Sequence, residues 1–331
     1  MRAPLVALSA LVLGLGVVGG TAAPAFAHDP SADSSATPSS DMMSMGDDAS
    51  NKDDRASAVR RAKQKPVFLE ASLSGANEVP VAGGPAVGDP DGKATGLVRV
   101  QGDRVTFAFS WKGISAPTLG HIHQGAAGAN GAVKVPLFGS AMPDSVDAAA
   151  GVVTVTDAAV ADALRDNPSN FYLNLHTKEF PGGAVRGQLT PLNNKHADLL
   201  DLLQGGGIKA FLCGDQEVPV AGGPAVGDPD GQAVAFIRAQ DTQVGYSMAW
   251  LRVAPTLGHI HKAPNGKNGP VAVALFGTAV PSTIFAISGT VTGLDPALVR
   301  DIKDHPSEYY ANLHSAEFPG GAVRGQLFSR H

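Results

Sequence analysis

EVPVAGGPAVGDPDG, read from Glu78 to Gly92, returns unchanged from Glu217 to Gly231. Two further blocks behave alike. APTLGHIH runs Ala116–His123 and again Ala254–His261; EFPGGAVRGQL runs Glu179–Leu189 and again Glu317–Leu327. The copies are 139 residues apart up to Trp111 and Trp250 and 138 apart after them, so the second copy has lost one residue before His259. Self-similarity of this kind means one fold written twice. The expected domains are 66–192 and 207–331. The joint, 193–206, contains the amphipathic stretch HADLLDLLQ, stopped by Gly205-Gly206-Gly207.

Around these blocks the composition points the same way. Gly (40) and Pro (24) are abundant among 331 residues and only 17% are charged. That favours turn-rich β structure over long helices. A hydrophobic content of 44% excludes a wholly disordered chain, and a net charge of −5 gives nucleic-acid binding no electrostatic support. One cysteine, Cys213, rules out an internal disulfide and any multi-cysteine zinc site. Residues 1–27 read as an export signal: Arg2, an uncharged apolar run over Ala3–Val18, and cleavage after Ala27 in Ala25-Phe26-Ala27. The expected product is secreted, with no membrane span once the signal is removed. Residues 28–65 are rich in Ser, Asp and Ala, bury little, and read as a disordered linker; Met42-Met43-Ser44-Met45 is their one unusual cluster.

Within the first repeat, short β-prone runs bounded by turns lie at Phe68–Ser74, Gly96–Val100, Val105–Trp111, Leu119–His123, Ala132–Leu137, Val152–Thr156, Phe171–His176 and Ala184–Leu189. Their number and spacing predict an all-β protein: two tandem Greek-key β-sandwich or barrel domains. Each carries one short helix. Asp157 caps AAVADALRD in the first, and Asp295-Pro296 opens its counterpart in the second. Asp89-Pro90-Asp91-Gly92 has calcium-ligand residue types but no EF-hand spacing, and a Pro-Asp-Gly turn accounts for it.

Six of ten histidines occupy matched positions: His121, His123 and His176, and His259, His261 and His314. Side chains alternate along a strand. His121 and His123 therefore share the face opposite Ile122. Tyr172, Asn174 and His176 share the face opposite Phe171, Leu173 and Leu175. The apolar sets claim the core, which sends the imidazoles to the outer, solvent side. If the two strands are neighbours, three imidazoles converge, a donor set that suits copper or zinc. Arg186 and Arg324 would stand nearby, either as fixed positive charges or pairing with Glu179 and Glu317 in a structural salt bridge. No Ser-His-Asp or Cys-His arrangement recurs in both repeats.

G-x-x-E-V-P, H-I-H-x-G and N-L-H-[TS]-x-E-F-P-G-G-x-V-R-G-Q-L, in that order, resemble the CHRD domain, named for chordin and found in many secreted bacterial proteins. The resemblance covers both repeats and implies a β-sandwich module without implying an activity. His121-Ile122-His123 and His176 with Arg186 are also similar to copper-site strands of Cu/Zn superoxide dismutases. That likeness implies a mononuclear copper site in each domain, with Arg186 and Arg324 as anion-guiding residues, but there is no counterpart of the metal-bridging His, of the zinc-loop ligands or of the disulfide. Dismutase-like redox activity is therefore not the favoured expectation. Two classes of function follow: a secreted metal-binding protein, copper before zinc, or a non-catalytic extracellular structural or interaction module with a cell-envelope or matrix protein partner.

Overall fold

The computed structural model describes residues 64–192 and 205–329. The expected export signal, nearly all of the expected linker 28–65 with its methionine cluster, and the leucine-rich joint lie outside them. In the first domain the strands are β1 (Val67–Ser74), β2 (Lys93–Gln101), β3 (Arg104–Lys112), β4 (Leu119–Gln124), β5 (Val133–Phe138), β6 (Val146–Thr154), β7 (Phe171–His176), β8 (Val185–Gln188) and the short β9 (Thr190–Pro191). The second domain repeats them as β10 (Ile208–Cys213), β11 (Gln232–Gln240), β12 (Gln243–Leu251), β13 (Pro255–Lys262), β14 (Val271–Phe276), β15 (Ile284–Val291), β16 (Tyr309–Ser315), β17 (Val323–Gln326) and β18 (Phe328–Ser329). Helices α1 (Ala158–Asp166) and α2 (Pro296–Asp304), with four single-turn 3-10 helices at Gly75–Asn77, Pro168–Asn170, Gly214–Gln216 and Pro306–Glu308, complete the described elements. Asp157 and Asp295 cap them by accepting from the amides of Ala159 and Ala297, and Pro296 fills the first turn, where no amide partner is needed.

All strand pairings are antiparallel. In the first domain β1, β2, β3 and β6 form one layer, and β5, β4, β7 and β8 the other. The layers meet where Ser74 of β1 pairs Arg186 of β8 and where β9 pairs β1. Between them Leu69, Val100, Phe107, Ile122, Leu137 and Leu173 are wholly buried, together with Leu164 of α1. Each such side chain contributes roughly 1.5–3 kcal/mol over leaving it in water. The alternation that buries Ile122 and Leu173 fixes the register in which β4 meets β7, with His121 beside Asn174 and His123 beside Tyr172.

The sixth strand departs from expectation. It begins at Val146 rather than Val152, because Ala148, Ala149 and Ala150 lie in the sheet. Alanine is a weak strand former, and tertiary pairing overrides that propensity. Those alanines form a seam between the domains: β6 pairs β15 antiparallel, with Ala148 opposite Ser288, Ala149 opposite Ile287 and Ala150 opposite Ala286. Ile287 is the repeat counterpart of Ala149, so a pseudo-two-fold axis passes through this pair. The bonds around it are reciprocal. Ser145 Oγ donates to the Leu275 carbonyl (2.5 Å), and Thr283 Oγ1 to the Leu137 carbonyl (2.7 Å). The amide of Val152 donates to Thr283 and that of Thr290 to Ser145. Gly151 and Gly289 allow this approach: a Cβ would lie 2.7 Å from the Thr283 oxygen at Gly151 and 2.2 Å from the Ser145 oxygen at Gly289. No helix among the described residues is long and apolar enough to cross a membrane.

Candidate metal centre

β4 delivers His121 and His123, and its neighbour β7 delivers His176. One potential ligand atom from each of the three lies within 4.8 Å of the others, and the same holds for His259, His261 and His314. His123 Nδ1 lies 2.9 Å from the Gly131 carbonyl, and His176 Nδ1 lies 2.9 Å from the Pro181 carbonyl. A carbonyl only accepts, so each of these nitrogens carries the proton and each Nε2 is left as a lone pair. His176 Nε2 is 3.2 Å from His121 Nδ1, while His123 Nε2 is buried without a hydrogen-bond partner. The second domain repeats the pattern: His261 to Gly269 at 3.0 Å, His314 to Pro319 at 3.0 Å, His259 to His314 at 3.2 Å, and an unpartnered His261 Nε2. Backbone carbonyls that hold one ring nitrogen and aim the other are the usual outer support of imidazole ligands.

The electrostatics keep these rings ready to ligate. Burial first, and neighbouring imidazoles second, push His121 and His259 down to about 4. Burial likewise lowers His123, His176 and His261. All of these imidazoles are neutral at pH 7, the form a metal needs.

The histidines do lie opposite the core, but the face is roofed rather than open to solvent. All of β7 is buried, with Asn174 only 3% and His176 9% exposed. One roof is the segment after Glu78, held by the Val87–Gly183 bridge and by the amides of Gly88 and Asp89 on the carbonyls of Gly183 and Ala184. Gly183 has φ +137, and a Cβ there would lie 2.7 Å from Glu78 Oε1. Thus two blocks that the sequence repeats unchanged dock on one another. The other roof is the loop 125–131, held by Arg186. The guanidinium donates to Ala129 (2.7 Å), Ala126 (3.1 Å) and Asn130 Oδ1 (3.2 Å), and stacks 3.5 Å from the centre of the Tyr172 ring. Tyr172 stacks on His123, 4.8 Å between centroids. Asn130 passes the connection on, donating to Val79 at 2.8 Å.

Arg186 is 2% exposed and Arg324 1%, so neither pairs with the exposed Glu179 or Glu317. The carboxylates that sense them are Glu78 and Glu217, which the sequence reading did not single out. Burial pushes both carboxyls up to about 7, against the pull of the arginine and of a hydrogen bond from Asn174 (2.7 Å) or Asn312 (3.0 Å). The signal for Glu78 was available: it opens the block that recurs without change.

The family model of the CHRD domain matches residues 69–189 and 208–327. No curated protein and no solved structure matches the chain. The likeness to superoxide dismutase strands therefore rests on the motif alone.

Proposed function

The chain belongs to the CHRD-domain family, and from that premise we propose that it is a secreted protein whose two domains each bind one transition-metal ion. Copper is the first choice and zinc the second, with His121, His123 and His176 as ligands in one domain and His259, His261 and His314 in the other. The observation that carries this reading is the pair of buried, unpartnered Nε2 atoms, on His123 and His261, each in a cluster whose rings are aimed by carbonyls. A buried polar atom without a partner is costly and calls for an explanation, and three neutral imidazole nitrogens suit copper or zinc. When bound, such an ion supplies a Lewis-acidic and, for copper, a redox-active centre. Arg186 and Arg324 serve as clamps on the ligand loops, because their N–H groups are engaged by loop oxygens.

The interaction-module reading expects imidazoles tied to backbone groups. Two in each domain are so tied, but through Nδ1 alone, which leaves the Nε2 atoms to converge. Metal analysis of the purified chain tests the proposal. Two ions per chain are expected, falling to one in His121→Ala/His123→Ala, to one in His259→Ala/His261→Ala, and to none when all four are replaced, with backbone spectra unchanged. Equal metal content in parent and double variants would overturn it in favour of a non-catalytic module with a protein partner.

A further inference from the structure

Paired through β6 and β15, the two domains share one eight-stranded sheet in the order β1, β2, β3, β6, β15, β12, β11, β10. Its inner face carries the core. One row of its outer face reads Leu97, Ala108, Ala150, Ala286, Ala249 and Val234, each directly opposite the next. The row beside it reads Ser110, Ala148, Ser288 and Ser247. Alanine and serine are too short to shield one another, so a bare face of this kind would be wet. Yet Ala108, Ala150 and Ala286 are 0% exposed, Ala148 and Ser288 2%, and Ala249 and Ser247 3%. Among the described residues, the partly buried apolar side chains packed against these alanines are Phe68, Leu97, Phe236 and Phe285, all of the same sheet. Side chains of one sheet face stand side by side, and Ala150 has an alanine on either hand, so its burial calls for a cover lying across the face. These exposures belong to a single chain, which makes the cover a part of that chain.

We propose that residues 193–204 dock on this face as a strap across the seam, with Leu199, Leu200, Leu202 and Leu203 on the alanine and serine rows, and so clamp one domain to the other. The ends of the segment carry the argument. It leaves from Leu192, whose amide donates to the Phe68 carbonyl of β1 at 2.9 Å. It returns at Gly205, where a Cβ would lie 3.8 Å from Phe236 Cβ of β11 and whose carbonyl accepts from Arg238 at 3.0 Å. Six strand spacings separate β1 from β11, roughly 29 Å. The thirteen residue steps between Leu192 and Gly205 reach at most roughly 43–47 Å. That leaves little slack for a route around the sheet, and the inner face is already filled, so the direct path runs over the alanines. Composition selects the same segment: residues 28–63 contain no Leu, Ile, Phe, Tyr or Trp, whereas four leucines fall within 199–203 and belong to neither repeat. None of this depends on a bound metal.

The test is paramagnetic broadening in the full chain. A spin label on Asp201→Cys, with Cys213→Ser to leave one thiol, should broaden the methyl signals of Ala150 and Ala286 together. Sharp signals at both would overturn the proposal, leaving another segment of the chain as the cover. In a mixture of isotope-labelled chains without the spin label and unlabelled chains carrying it, those methyl signals should stay sharp; broadening there would mean that a second copy covers the face, and would overturn it too. A second measurement changes only the joint, outside both repeats. Replacing Leu199, Leu200, Leu202 and Leu203 together by Ser should uncover the face, giving a several-fold rise in fluorescence of the apolar dye ANS and a lower melting temperature. If the leucines are instead free in solvent, their removal lowers dye binding and leaves the melt unmoved, which overturns the proposal. Metal content should be the same in parent and variant, so the strap fails or stands apart from the metal reading.

Discussion

Between the two domains, the histidine clusters coincide where the scaffolds have drifted. The bond between His121 and His176 and that between His259 and His314 are both 3.2 Å, and the shortest arginine contacts to the loop carbonyls are both 2.7 Å. The scaffolds differ freely. On α2, Asp301 accepts from Lys262 (2.6 Å), Tyr309 (2.5 Å) and His305 (2.9 Å). Gln124, Ala163, Phe171 and Asn167 occupy the matched places in the first domain and cannot build that network. After β3 the chain turns at Gly113 with φ +70; after β12 it turns at Arg252 with φ +58, a conformation that disfavours a side chain. Duplication has left the scaffolds loosely matched and the roofed sites closely matched, so the constraint lies in the sites.

The hardest blow to that likeness is loss of an arginine. Arg186→Ala removes a buried clamp and strands loop carbonyls, and should cost its domain about 3–5 kcal/mol. Arg324→Ala should cost the other domain as much in denaturant unfolding; a large effect in one domain alone would break the equivalence. Next comes the seam. Gly151→Ala places a Cβ against Phe107 and the Thr283 oxygen and should destabilise by about 1–3 kcal/mol, as overpacking does. Calorimetry should show the two domains unfolding less cooperatively, and Gly289→Ala should act alike from the other side.

Acid sharpens the comparison further. His121 and His259 have folded pKa values near 4 against 6.5 when unfolded. At these two positions the unfolded chain therefore binds more protons between those values, which lowers metal-free stability as pH drops from 6.5 to 4. Glu78 and Glu217, raised to about 7, bind more protons in the folded chain and oppose that fall between 7 and 4.5. Both domains should follow the same profile. Metal should likewise be retained below pH 6.5 and released toward 4, in a titration read by bound copper. The smallest effect is expected at the turn where the domains differ. Arg252→Gly relieves the positive φ and should stabilise the second domain by about 0.5–1 kcal/mol, whereas Gly113→Ala should destabilise the first, its Cβ meeting the Asp91 oxygen at 2.3 Å. Thermal melts of the two variants should move in opposite directions.

The strand alternation around Ile122 and Leu173 was enough to place three histidines on one face, because a period of two leaves no other option. The capped helices were equally legible, since Asp157 and Asp295-Pro296 are local signals. What stayed hidden was non-local. Nothing in Ala148-Ala149-Ala150 announces a strand, and its partner lies more than a hundred residues away in β15. Nor does alternation reveal a roof: Tyr172, Asn174 and His176 face away from the core, and the docking of the Glu78 segment on the Gly182-Gly183 turn, with the loop 125–131 that Arg186 holds over Tyr172, buries them. Glu78 read as part of a turn-rich repeat until that docking gave it Asn174 and Arg186 as neighbours.

The seam carries a hazard for partial chains. Strand β6 without β15 is a bare sheet edge, and bare edges recruit other strands. Because Ala149 sits on the pseudo-two-fold axis, β6 carries within itself the complement it needs: a glycine at Gly151 and a backbone oxygen at Ser145. A synthesis product that stops inside 193–206 would pair with its own kind, edge to edge. In the intact chain the tether keeps the proper edge at high local concentration, which makes the linker a safeguard against aggregation as well as a connection.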